Sequence, residues 1–458
     1  MSISHVDWQV DRFREGSDKP AIVWNDNEVT YGELLDRYQT WLARLRGAGV
    51  VPGSVVTVAG DYSPASISCL LALVKLDCIV VPLSRESHDQ HKEFLEIAET
   101  DFAIEIDLND EAEVRPLSFR TNHELLEKLR ETRQAGLVLF SSGSTGKPKA
   151  ILHALPPILE KFRKPRHCYR TVSFLLFDHI GGFNTLFYTL GNLGCVVSPG
   201  DRSVAKVCRA VERYRAELLP TSPSFLNLML MARAYEEFDL SSLKLITYGT
   251  EVMPERTLQA VTAALPNVTL QQTYGLSELG ILRSKSASNQ SLMVKVGGED
   301  YETKVVNGTL RIRAKCSMLG YLNHPSPFDA EGWFDTGDAV IEDGEYLRIL
   351  GRHSEIINVG GQKVYPAEVE KVIAELPNVI DVAVTGEPHL LLGHVVVAVA
   401  QLREPMPDLE FKRKVIEHCK GRLQPYMVPT KVRVVTDTLV NERFKKIRRQ
   451  DKLPVGQA

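Results

Sequence analysis

The stretch Ser141-Ser-Gly-Ser-Thr-Gly-Lys-Pro-Lys149 follows directly on the apolar run Gly136-Leu-Val-Leu-Phe140. The apolar run predicts a buried strand. The glycines beyond it let the chain turn tightly and bring backbone N–H groups close to a bound anion. Hydroxyls donate to phosphate oxygens, and lysines add compact positive charge. A strand leading into a flexible, hydroxyl-rich loop is a cradle for a polyphosphate. Its candidate ligands are Ser141, Ser142, Gly143, Ser144, Thr145, Gly146, Lys147 and Lys149. The spacing is not that of an ordinary P-loop, because only two residues separate Gly143 from Gly146 and Pro148 follows Lys147. A solvated linker is the bland alternative, but linkers rarely sit flush against a strand.

Upstream of the loop, strands and helices alternate. Thr30 and Glu33 have capping-box spacing, and the helix predicted from Tyr31 has apolar residues at 34, 35, 38, 42 and 45. Strand 54–59, helix 63–76 and strand 78–83 form a βαβ unit whose apolar strands predict a parallel sheet covered on both faces. Downstream the alternation continues through the apolar runs at 171–176, 195–198 and 243–248. From about 292 to 350 the strands shorten, and Asn307-Gly and Asp343-Gly predict antiparallel hairpins. After Gly351 a smaller unit follows: helix 366–376, strands 379–384 and 393–402, a charged helix from Asp408, and a basic tail.

The 458-residue chain is 44% hydrophobic and 24% charged with a net charge of −4, the composition of an ordinary soluble globular protein. No basic field points to nucleic acid, and no apolar run approaches a membrane span. The N-terminus lacks the basic flank and apolar core of a signal peptide. The seven cysteines are scattered and never paired as Cys-x-x-Cys, which argues against disulfides or zinc and for a cytoplasmic location. His88 and His91 lack the further ligands that a metal site needs.

Other stretches carry chemistry. Tyr274-Gly-Leu-Ser-Glu278 follows Thr269-Leu-Gln-Gln-Thr273, another strand-to-loop transition, and by itself could equally be a turn with a helix cap. Gly332-Trp-Phe-Asp-Thr-Gly-Asp338 ends on an aspartate, and Tyr248-Gly-Thr-Glu-Val-Met-Pro254 is a further loop after a strand. Then come Gly351-Arg-His-Ser-Glu-Ile-Ile-Asn-Val-Gly-Gly-Gln-Lys-Val-Tyr-Pro-Ala-Glu-Val-Glu370 and the tail Asn441-Glu-Arg-Phe-Lys-Lys-Ile-Arg-Arg449. Taken in chain order, along essentially the whole chain, they resemble the signatures of the adenylate-forming superfamily. That superfamily comprises acyl-CoA synthetases, carrier-protein-loading adenylation domains and beetle luciferases, and the look is closest to acyl- and aryl-CoA ligases.

The resemblance implies an α/β fold with a large N-terminal multi-sheet domain, residues 1–351, and a small mobile C-terminal α+β domain, residues 352–458. The hinge would lie near 352–355, although Ser354 stands where many relatives carry Asp. It also implies ATP, Mg²⁺ and a small carboxylic acid as ligands, with coenzyme A or the phosphopantetheine of a carrier protein as acceptor. By the same resemblance Tyr274 stacks on adenine, Ser277 contacts the α-phosphate, Glu278 holds Mg²⁺, and Asp338 binds the ribose. Gly249, Thr250 and Glu251 line the adenine pocket, and Arg352 contacts the nucleotide. Lys446 is the counterpart of the catalytic lysine; the usual preceding glycine is Lys445, which stays open for the role.

For the acid, the relevant stretch is Phe177-Asp-His-Ile-Gly-Gly-Phe183. Aligned on His179 and Gly182 it resembles CoA synthetases, whereas Phe177-Asp178 would match the amine-gripping pair of amino-acid domains. Phe183 and Gly275 complete the expected acid pocket. Carrier loading, amide formation with an amine acceptor, and a non-catalytic nucleotide- or acyl-binding regulator are the alternatives to a CoA ligase.

Overall fold

The computed structural model describes residues 6–117, 123–142, 147–441 and 444–448. Local signals set many of its element boundaries. Thr30 Oγ1 accepts from the Glu33 N–H at 3.2 Å while the Glu33 carboxylate accepts from the Thr30 N–H at 2.7 Å. Tyr31–Gly47 thus opens on a complete capping box. Asn307 and Gly308, at φ 54° and 75°, make the two-residue turn between Tyr301–Val306 and Thr309–Ala314.

Two seven-stranded sheets form the frame. One runs in the order Thr269–Gln272, Leu245–Tyr248, Leu218–Thr221, Arg170–Val172, Cys195–Val197, Pro20–Trp24, Asn27–Thr30, parallel except for the last pair. The other runs Gly320–Tyr321, Pro148–Ala154, Gly136–Ser142, Ile79–Ser84, Val55–Gly60, Phe102–Ile106, Ala112–Pro116, and its middle strands are parallel. Every residue of Ile79–Ser84 is buried, as expected for a strand covered on both faces. A single apolar core joins the sheets through their helices, from Ile22 and Val196 across Leu34, Leu70 and Phe187 to Val56 and Val80. An antiparallel six-stranded sheet follows, from Arg283–Ser286 to Tyr346–Arg352.

The described flanks of the Ser141–Lys149 stretch are paired in a sheet. Gly136–Ser142 pairs antiparallel with Pro148–Ala154 in a register that puts Ser141 opposite Lys149. Gly143, Ser144, Thr145 and Gly146 fall outside the described residues, as does the side chain of Ser142.

Beyond Arg352 a short 3-10 turn, His353–Glu355, leads into the small C-terminal domain. Its five-stranded sheet is built from Ile357–Val359, Gln362–Val364, Val379–His389, Gly393–Leu402 and Lys431–Val435. Helices Pro366–Ile373 and Asp408–Cys419 cover it through Val369, Ile373, Phe411 and Val415. Strand Val379–His389 runs past the expected end at Val384. The polar tail stays in the strand because Glu387, although buried, is paired with both Lys431 and Arg433 of the same sheet. The two domains meet along a seam bridged by Lys371–Glu255 at 2.8 Å and by the Arg256 guanidinium on the Ala374 carbonyl.

Candidate active site

In the large domain, paired strands and a short loop after a strand bring the polar residues together. The phenol of Tyr274 donates to Asp338 Oδ2 at 2.5 Å, and Arg352 Nε lies 3.3 Å from Asp338 Oδ1. Asp338 sits in the hairpin partner of Tyr346–Arg352, directly opposite Arg352 in register. Burial pushes its carboxyl up from the ordinary range while Arg352 and Tyr274 pull it down, with burial the larger effect. Burial and the Asp338 charge hold the Tyr274 phenol well above its usual value, so Tyr274 is the donor. The backbone N–H of Asp338 donates to Thr336 Oγ1 at 3.0 Å, which fixes the loop.

A second polar array links Glu278 to the hairpin of Gly136–Ser142 and Pro148–Ala154. Tyr321 donates to Glu278 Oε1 at 2.8 Å, and Lys149 Nζ lies 5.2 Å from the Tyr321 ring centroid. Gly320–Tyr321 pairs with Pro148–Ala154 at the edge of the sheet. Asn323 completes the clamp, accepting from the Ala150 N–H and donating to the Pro148 carbonyl. Sequence reasoning missed Tyr321 and Asn323; an aromatic residue and an amide in Gly320-Tyr-Leu-Asn323 are the only local signal. It also missed His153, whose Nε2–H donates to the Ser277 carbonyl at 2.6 Å and so positions the Ser277-Glu278 turn. Burial lowers His153 to about 4, leaving the ring neutral.

Lys147 is exposed at the mouth of the hairpin. Gly249 is tightly enclosed: a Cβ there would lie 2.7 Å from Thr273 Oγ1 and 2.8 Å from its carbonyl. Thr250 turns the loop with φ at 74°. Glu251 ties the loop to two elements, accepting from the Ser224 N–H at 2.7 Å and the Lys446 N–H at 2.9 Å. Gly275 leaves no room for a side chain, since a Cβ would stand 2.8 Å from the Gly280 carbonyl.

The expected acid-pocket residues are largely core. Phe177 and Phe183 are fully buried, Phe177 edge-on to Tyr62 and Phe183 against Phe187. Gly182 packs so closely that a Cβ would fall 1.9 Å from the Leu176 carbonyl oxygen. Asp178 is buried and accepts from Ser84, 2.6 Å from its hydroxyl and 3.2 Å from its N–H. His179 caps helix Ile180–Gly191, its Nδ1 accepting from the Gly181 N–H at 3.2 Å.

Lys446 lies in the closing strap. Its Nζ donates to Asp381 Oδ1 at 2.8 Å and to the Val382 carbonyl at 2.9 Å, both in the small domain. Burial works against the ammonium, but Asp381 and Glu370 outweigh it and leave the pKa raised. Beside it Arg448 bridges Glu370 and Glu355. No cluster of three or more His, Cys, Asp or Glu side chains suited to a metal occurs among the described residues. One carboxylate, Glu278, still fits Mg²⁺, which commonly takes one or two carboxylates and fills its other positions with phosphates and water. No helix of the described residues is long and apolar enough to cross a membrane.

Comparison with known proteins gives the family. The family model for AMP-binding enzymes matches residues 8–322, and that for the AMP-binding enzyme C-terminal domain matches 368–446. The chain is 28% identical to an indoleacetate–CoA ligase of Aromatoleum aromaticum, over 94% of each chain. It is 27% identical to the long-chain-fatty-acid–CoA ligase FadD13 of Mycobacterium tuberculosis, over 64% of this chain and 62% of that one. In fold it is similar to the anthranilate CoA ligase AuaEII in complex with anthranoyl-AMP, at a TM-score of 0.82 and 22% identity, covering 97% of this chain and 95% of that one. The amide bond synthetase McbA of Marinactinospora thermotolerans gives a TM-score of 0.75 at 20% identity, covering 95% of this chain and 96% of the other. With a large domain and a small one both matched in order, the chain belongs to the AMP-binding, adenylate-forming enzyme family.

Proposed function

We propose that this chain activates a carboxylic acid with ATP to an acyl-adenylate and then passes the acyl group to the thiol of coenzyme A. The observation that carries the proposal is the pair of polar arrays, Asp338 with Tyr274 and Arg352, and Glu278 with Tyr321 and Lys149. Asp338 presents a carboxylate suited to the two hydroxyls of a ribose, and Arg352 adds a cation beside it. Glu278 would hold Mg²⁺, which would neutralise phosphate charge. Lys149 and the hydroxyls of the hairpin take the phosphates.

In the first half-reaction an oxygen of the acid attacks the α-phosphorus, and the bond to pyrophosphate breaks. The protein contributes positioning and charge neutralisation there. Lys446 serves the reacting carboxylate, which requires its Nζ to leave Asp381. In the second half-reaction the thiol sulfur attacks the acyl carbon and AMP departs with the bonding electrons. The small domain turns about Arg352–Glu355 between the two steps, a hinge motion.

The acid is a non-amino-acid carboxylate, aryl or fatty. Supporting this, Asp178 accepts from both the hydroxyl and the N–H of Ser84, a structural role within the fold. The relatives named for indoleacetate and long-chain fatty acids point the same way. Free, reduced cysteines suit a cytoplasmic setting. The test is pyrophosphate release across aryl, fatty and amino acids, followed by product analysis with coenzyme A, a pantetheine-bearing carrier protein or an amine. A thioester with coenzyme A is expected; release only with amino acids, or product only with an amine, would overturn the assignment.

A further inference from the structure

The closing strap holds a residue that the reaction does not call for. Phe444 belongs to the C-terminal tail, yet its ring enters a cluster of large-domain aromatics. It lies 5.1 Å from the Phe174 ring and 5.4 Å, edge-on, from Phe225, and those two rings are 4.4 Å apart. The Arg202 guanidinium stands 5.9 Å from the Phe444 ring centroid. Ser222 Oγ donates to the Phe444 carbonyl at 2.8 Å, and Ser222 also caps helix Pro223–Met231. Each of these partners lies in the large domain.

Immediately beyond, the strap changes sides. Lys446 keeps its N–H on Glu251 of the large domain but sends its ammonium to Asp381 of the small one. Arg448 then joins Glu370 of the small domain to Glu355 at the hinge. A few residues of tail therefore staple both domains and the hinge between them.

The backbone gives an independent indication that the ring matters. Phe444 has φ at 53°, a left-handed conformation that Gly or Asn adopts far more readily than a phenylalanine. A residue chosen only to make the turn would be one of those. A phenylalanine in this conformation is accounted for by what its ring reaches.

We propose that Phe444 is an aromatic latch: its ring, seated on Phe174 and Phe225, holds the small domain in the orientation that brings the closing strap to the large domain, and it withdraws when that domain turns. The inference rests on the proposed two-step reaction for its consequence, although the latch itself is a property of the unliganded protein. Phe444 is a positioning residue. It sets how often the strap lies where Lys446 can serve the first step, and it touches no reacting atom.

The test pairs Phe444→Ala with the conservative Phe444→Tyr in the full chain. Fluorophores on the two domains report the interdomain distance without substrate. ATP–pyrophosphate exchange reports the first half-reaction, and coenzyme A acylation from preformed acyl-adenylate reports the second. Expected for Phe444→Ala are a shifted, broader distance distribution and exchange lowered about tenfold, the scale of two lost aromatic pairs. Its second half-reaction is expected to be undiminished, and Phe444→Tyr to restore the wild-type pattern. An unchanged distance distribution in Phe444→Ala, or equal loss of both half-reactions, would overturn the latch. Absence of exchange in the wild type with every acid would instead overturn the proposed reaction, while the distance measurement would still decide the latch.

Discussion

On the proposed nucleotide side, Tyr274, Asp338 and Arg352 hold one another through a hydrogen bond and an ion pair, whereas on the acid side Phe177, Gly182 and Phe183 are held by packing. The difference reflects what each side must recognise. A nucleotide presents the same phosphates and ribose to every relative, so the groups that meet it are restricted in chemical type. An acid varies, and apolar side chains that shape a pocket are interchangeable so long as volume and patterning are kept. Polar residues such as Tyr274, Glu278 and Asp338 are consequently restricted in type, while a packed wall can exchange one apolar side chain for another.

The largest effect that would break this contrast is on Glu278. Glu278→Gln keeps the shape and an acceptor for Tyr321 but removes the charge, and pyrophosphate exchange is expected to fall about 10²–10³-fold with the fold intact. Exchange near wild type would remove Glu278 from the nucleotide side.

The next effect tests the support beneath it. His153 is held at about 4, below its ordinary 6.5, by burial. Between those values the unfolded chain binds a proton that the folded chain refuses, so its contribution is complete above pH 6.5 and declines as pH falls towards 4. Denaturant titrations should show about 3 kcal/mol of loss across that window, absent in His153→Gln. A flat profile in the wild type would contradict a neutral, buried His153.

On the acid side the effects are on packing. Gly182→Ala drives a methyl into the Leu176 carbonyl and is expected to destabilise by about 2 kcal/mol in urea unfolding. No change in stability would show that this wall yields. Smaller still is Asp178→Asn, which keeps an acceptor for Ser84 and should alter stability by about 1 kcal/mol, with KM for the acid unchanged. A large rise in KM for one amino acid would make Asp178 an ammonium ligand after all.

Much of the frame was legible in local chemistry. The Thr30/Glu33 box and the Asn307-Gly308 turn are set by a few neighbouring residues and occur as their types dictate. The βαβ unit likewise followed from apolar strands flanking an apolar helix. The strand holding Glu387 was read short because its compensation comes from Lys431 and Arg433, distant in sequence. Tyr321 and Phe444 escaped notice for the same reason: a phenol over Glu278, or a tail ring among Phe174 and Phe225, is defined by tertiary contact alone. Ser144 and Thr145 of the phosphate loop stand as sequence expectations, outside the described residues.

The most direct measurement is ATP–pyrophosphate exchange with a panel of aryl, fatty and amino acids, run on the wild type and on Lys446→Ala. Exchange with aryl or fatty acids, abolished by the substitution, is the expected result. It would mean that the ammonium leaves Asp381 to meet the reacting carboxylate. Exchange that survives in Lys446→Ala would contradict that role and move it to Lys445 or another lysine. Nucleotide binding without exchange for any acid would contradict acid activation itself.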